Sequence, residues 1–335
     1  MDTYELTQKL SRAFGPAGCE GGVRGTIESI AKPWGFECST DVMGNLIFHK
    51  PGRGKRIMYS AHMDSIGFMV TYVEDSGLLR VGYVGGIRPA NVVSVPVRFE
   101  NGVQGVLYID AEAQTDTSKI GNDSQFIDIG AASKKEALKM VKIGDMAVFD
   151  TQAILTSGGK FIIGPYLDNR AGCAALLLGM EQLQGDEAND CWFVFSVQEE
   201  VGCRGAKPAA FAIEPEYSIA VDTTHSDDIP KAPHLGSSCA GGGAAVKVMD
   251  RSVICHPQIV AAMEKLAKKN KIKMQRDVIR AGGTDAGNMQ MSKAGSMAGG
   301  ISVSTRCIHS PQEMISVSDV EECGKLIAAF GAEKF

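Results

Sequence analysis

CWFVFSVQEE, residues 191–200, decides the fold. From Cys191 to Val197 the residues are apolar or small with no polar alternation, the pattern of a strand covered on both faces. Such strands belong to sheets held between helices. This one runs into two adjacent carboxylates, Glu199 and Glu200, whose desolvation something must compensate. Successive strand residues point to opposite sides, so the two carboxylates are expected to face different partners.

Working outward, four more segments end in residues able to hold a cation. RIMYSAHMD (56–64) carries His62 and Asp64, and GPYLDN (164–169) places Asp168 just before a helix. IAVDTTH (219–225) carries Asp222 and then His225, and STRCIHS (304–310) carries His309. Functional groups of an open α/β sheet gather at the carboxyl ends of its strands, so these residues are expected to meet in one crevice. Each alone has an ordinary reading: Asp168 as a helix N-cap, His225 as part of the solvated run TTHSDD. Together, two histidines and several carboxylates form the mixed nitrogen and oxygen set suited to Zn²⁺ and its first-row neighbours. A shared carboxylate would let the set hold two ions about 3.5 to 4 Å apart. Residues i and i+2 of a strand face one side, so Asp64 is placed to accept the second imidazole N–H of His62.

The rest of the chain is consistent with this plan. Residues 67 to 160 are dense in short β-branched runs between glycine-rich turns (GFMVTYV, LLRVGYV, VVSVPVRF, VQGVLYI, DMAVFD), which predicts a small β-barrel or sandwich. SKKEALKM (133–140) interrupts them with a capping-box helix. Helix and strand alternate on either side. The expected architecture is an α/β domain built from 1–66 and 161–335, with a central mixed sheet flanked by helices, and a β-rich domain inserted at 67–160.

With 335 residues, 44% hydrophobic and 22% charged, the chain has the composition of a globular protein of two domains. A net charge of −5 without a basic, aromatic-laced patch excludes nucleic acid as the expected partner. Nine scattered cysteines without a CxxC pair suit a reducing compartment. No signal-like N-terminus and no apolar run of about 20 residues is present, so a cytoplasmic protein without membrane contact is expected.

Six motifs in order, AHMDSIGFMV, DNRAGCAALL, SVQEEVGCRGA, VDTTH, GGTDAG and RCIHSPQE, resemble those of the M42 family of metallo-aminopeptidases. The resemblance runs through nearly the whole chain, with FIDIGAASKKEA and IGDMAVFD similar to the family's inserted domain. It implies a zinc-peptidase α/β domain carrying a PDZ-like β domain, assembled into a tetrahedral homododecamer. His62 and Asp222 would hold one ion, Glu200 and His309 the other, with Asp168 bridging. The ions would be Zn²⁺ or Co²⁺. Glu199 would act as general base and Asp64 would support His62. Ser65 departs from the glutamate that many members carry there.

The activity so implied is removal of N-terminal residues from short peptides by an activated water. Gly283, Thr284 and Asp285, in a GGTD turn, are candidate substrate contacts; an ordinary loop with a Thr cap explains the turn equally well. Arg88, Lys231 and Arg280 are candidate partners for an acidic side chain, each with an alternative as a surface charge. Two other functions fit the same metal site: a di-zinc deacylase of small N-acyl compounds, and a non-catalytic peptide-binding scaffold. A glycoside hydrolase using Glu199 and Glu200 would leave both histidines unexplained.

Overall fold

A computed structural model describes residues 1–335 except 184, 186–188 and 235. The strand at the centre of the sequence argument spans Asp190–Ser196, and Cys191, Phe193, Val194 and Phe195 are fully buried. It lies between the antiparallel strand Leu46–Lys50 and the parallel strand Arg56–His62. Beyond Arg56–His62 come Tyr217–His225 and then Met297–Arg306, both in the same direction. Four parallel neighbours therefore end side by side, inside an 11-stranded mixed sheet.

Helices cover both faces, which is why the central strands are buried along nearly their whole length. Leu167–Gln182 packs with Val317–Ala332 on one side, and Ala206–Ile213 with Asp285–Gln290 on the other. At the sheet's edge, Glu37–Thr40 and Leu46–Lys50 form a hairpin around a turn in which Gly44 has φ +100°. That is the conformation expected of its Gly-Asn signal.

A second, smaller core sits inside a closed barrel. In order around the barrel its strands are Gly67–Val73, Leu79–Val84, Gln125–Asp128, Gln104–Ile109, Val95–Phe99 and Met146–Phe149. Closure leaves no strand edge to pair with another chain. The helix Lys134–Met140 interrupts the barrel strands, capped by Ser133, whose side chain accepts from the Glu136 amide. Barrel and sheet meet, among other places, where Leu79–Val84 leads directly into Gly85 and Gly86, which lie against Glu200 and His309. Among the described residues no helix is long and apolar enough to cross a membrane.

Candidate active site

His62 closes its strand and is 2% exposed. Its Nε2 lies 3.3 Å from Asp168 Oδ1 and 3.5 Å from Asp222 Oδ1. His309, in the loop after Met297–Arg306, places Nε2 3.3 Å from Asp168 Oδ2 and 3.3 Å from Glu200 Oε2. The five residues thus form two groups of candidate metal donors, His62/Asp168/Asp222 and Asp168/Glu200/His309, which share Asp168. Each oxygen of that one carboxylate faces a different histidine.

These separations fit ions between the donors. Bonds of about 2.0 to 2.2 Å at a tetrahedral angle put neighbouring ligand atoms about 3.4 Å apart. Asp168 Oδ1 and Glu200 Oε1 are buried without a hydrogen-bond partner, although buried carboxylate oxygens normally have one. Charge tells the same story. Burial pulls His309 down, but Glu200 and Asp168 outweigh it and push its pKa up to about 12. Burial also opposes the charged form of His62, and Asp222, Asp168 and Asp64 together hold its pKa well above the ordinary value. In both cases the carboxylates favour a positive charge at the centre of the cluster.

Local structure explains how each donor is freed for this work. Asn169 takes the cap position expected of Asp168, its Oδ1 accepting from Gly172 N at 3.0 Å. Asp168 itself has non-helical φ and ψ (−80°, 110°), so its carboxylate turns away from the helix toward the histidines. Glu313 then fixes two donors at once, accepting from the Asp168 amide at 2.9 Å and from the His309 amide at 2.7 Å. Sequence reasoning missed that role: RCIHSPQE contains the residue, but nothing in the spacing says that a strand start folds back onto both neighbours.

Asp64 stands beside His62 as its spacing suggests, and it has a further task that the spacing did not announce. Its carboxylate accepts from Glu199 N at 2.9 Å and Glu200 N at 3.1 Å, holding the two-glutamate turn by its backbone. His62 Nδ1 approaches the Asp64 backbone carbonyl at 3.1 Å, closer than the carboxylate oxygen at 3.5 Å. The glutamates also do not sit on the strand, which ends at Ser196. Gln198 has φ +57°, so a turn, not strand alternation, aims them apart. Glu200 meets His309, whereas Glu199 Oε2 stands 3.9 Å from His62 Nε2 and its Oε1 accepts from Cys203 Sγ at 3.1 Å. Burial, with Asp222, Asp285 and Glu200 adding to it against His62, pushes the Glu199 carboxyl well above its usual range.

All of this opens into a cavity of about 530 Å³. Gly283 and Thr284 line it, and so do Arg88 and His225, the latter at the end of its strand and not in a solvated loop. Asp285 lies beneath, 2% exposed, its Oδ2 accepting from Ser60 at 2.8 Å and Ser196 at 2.6 Å. Arg280 donates to the His234 carbonyl at 2.9 Å. Ser65 points its hydroxyl at the Gly15 carbonyl, 3.2 Å away, tying down the N-terminal segment.

The family model described as M42 glutamyl aminopeptidase matches residues 44–326. A putative aminopeptidase of Acetivibrio thermocellus is 43% identical over 97% of both chains. A lysyl aminopeptidase of Pyrococcus furiosus is 35% identical over 98% of this chain and 96% of its own. Among solved structures, the TET1 peptidase of Pyrococcus horikoshii, which can assemble into a tetrahedron or a large octahedral shell, superposes with a TM-score of 0.89. It is 32% identical, and 99% of each chain is covered. The chain therefore belongs to the M42 family of metallopeptidases and is an aminopeptidase.

Proposed function

We propose that the chain removes N-terminal residues from short peptides, using two divalent ions and Glu199 as general base. The observation that carries this reading is the Asp168 carboxylate, one oxygen 3.3 Å from each histidine Nε2. His62 and Asp222 would hold one ion, Glu200 and His309 the other, and Asp168 both. Zn²⁺ suits this donor set best, and Co²⁺ also fits. When bound, the pair would acidify a water and polarise the scissile carbonyl. Glu199 takes that water's proton and returns it to the leaving amine. Asp64 holds the Glu199–Glu200 turn in register, and Glu313 does the same for Asp168 and His309.

In this reading residues 1–66 and 161–335 form the catalytic domain and 67–160 the oligomerisation domain, apart from the short strand Ile154–Leu155, which pairs with the catalytic sheet. The assembly would be a tetrahedral dodecamer, by analogy with the tetrahedron of the Pyrococcus horikoshii enzyme, and the protein would work in the cytoplasm. The barrel also serves the site itself. Gly86 O lies 2.8 Å from His309 Nδ1, which leaves Nε2 as the free donor. Gly85 must be glycine: its φ is +83°, and a Cβ would come within 2.7 Å of Ile66 Cγ2 and 3.1 Å of Glu200 Oε2. Gly85→Ala is expected to weaken the ion at Glu200 and His309 by about 10- to 100-fold, read by competition with a chromophoric chelator, and to spare the other ion.

The test of the whole reading is a Zn²⁺ titration of metal-free protein. Uptake should saturate at two ions per chain and restore cleavage of an aminoacyl substrate. Imidazole ligates a metal in its neutral form, and the surrounding carboxylates favour the charged form of both histidines, so affinity should fall as pH is lowered. Saturation at one ion per chain, or cleavage undiminished after metal removal, would contradict it.

A further inference from the structure

Resting on that reading, we propose that Lys247 makes this chain selective for acidic N-terminal residues, by offering an ammonium proton to the side-chain carboxylate of the substrate. Lys247 lies on the strand Ala244–Met249 and is 2% exposed, yet it lines the same cavity as the metal donors. A buried ammonium needs acceptors for its three N–H groups. Asp277 Oδ2 supplies one at 2.6 Å and Thr224 Oγ1 a second at 3.4 Å. Among the described residues no third acceptor bonds to it, and the residue lines the cavity.

The position suits a substrate side chain. Thr224 follows Asp222 by two residues on one strand, on the same face and about 7 Å further along. Nζ, in contact with Thr224, is thus one side-chain length from the donors where the terminal residue's backbone must lie. A glutamate or aspartate there would take the unused N–H in a charge-assisted hydrogen bond. An apolar side chain would leave that N–H unpaired away from water, and a lysine would bring a second ammonium against the first.

The surroundings agree. Arg88 and His225 also line the cavity. Its acidic wall residue at this end, Asp250, is already engaged: Oδ1 accepts from Ser252 and Val253 amides at 2.7 and 2.9 Å, and Oδ2 from Thr284 Oγ1 at 3.2 Å. Of the three cationic side chains that the sequence suggested for this task, Arg88 alone faces the cavity. Lys247 was hidden in the apolar-looking run AAVKVM, where nothing announces that a strand residue turns into a site. Relatives do not settle the matter by name, since a glutamyl and a lysyl aminopeptidase both occur among them.

The experiment measures kcat/KM of the metal-loaded enzyme on Glu-, Asp-, Leu- and Lys-p-nitroanilides, with metal content checked for every protein. Glu and Asp should exceed Leu by about 10- to 100-fold, with Lys last. Lys247→Met leaves Asp277 without its cation and should reverse the order, placing Lys above Glu. Should that variant fold poorly, Lys247→Met/Asp277→Asn removes both charges and should flatten the acidic and basic preferences together. A wild type that favours Leu or Lys over Glu, or a folded variant that keeps the Glu preference, overturns the proposal. A fully metal-loaded wild type inert on all four substrates overturns the aminopeptidase mechanism and this proposal with it.

Discussion

Glu199→Gln should lower kcat by about 100- to 10,000-fold and leave two ions per chain in place. The substitution keeps the shape of the side chain and removes its ability to take a proton. Glu199 belongs to neither donor group that shares Asp168, so those groups should survive the change. The turn that carries it should survive too, because Asp64 holds residues 199 and 200 through their backbone amides. KM should move little, since the loss falls on proton transfer in the transition state. A variant with full metal content and an undiminished rate would remove Glu199 from the chemistry. A variant that lost its metal would mean that Glu199 is a ligand.

How far the sequence carried this picture depends on what each feature needs. The sandwiched sheet was legible because burial on both faces writes itself as the unbroken run CWFVFSV. The barrel was legible as closely spaced strands and turns, although barrel and sandwich share that pattern and only the pairing around six strands separates them. Candidate metal donors were visible because each stands at or near the end of an apolar strand. What their neighbours do was not visible. Asp64 sits two residues after His62, yet its carboxylate serves the Glu199 and Glu200 amides, since a turn with positive φ at Gln198 brings them there. Glu313 and Gly86 act through tertiary contacts that no periodicity encodes. His225 and Lys247 face the cavity because of where the sheet ends, and local polarity pointed the other way for both.

Asp168→Asn should cause the largest loss of all, because it alone belongs to both donor groups. Asp222→Asn or Glu200→Gln replaces a charged donor oxygen of one group with a neutral one and should cost one ion. The Asp168 change affects both. Its Oδ1 and Oδ2 each stand 3.3 Å from a histidine Nε2, and an amide can keep an oxygen on only one side. On the other side an NH₂ group points at the ion, and a donor cannot ligate a cation. The remaining oxygen is neutral, so two adjacent dications also lose the negative charge between them. Orientation is not the cause, since the Asp168 amide is still held by Glu313. The expected result is a protein that keeps neither ion through gel filtration, with activity lost accordingly, whereas Asp222→Asn and Glu200→Gln each retain one. Excess metal should restore little. If Asp168→Asn instead retained one ion as firmly as the single-group variants, the carboxylate would serve one histidine only, and the shared bridge would have to be abandoned for two separate sites.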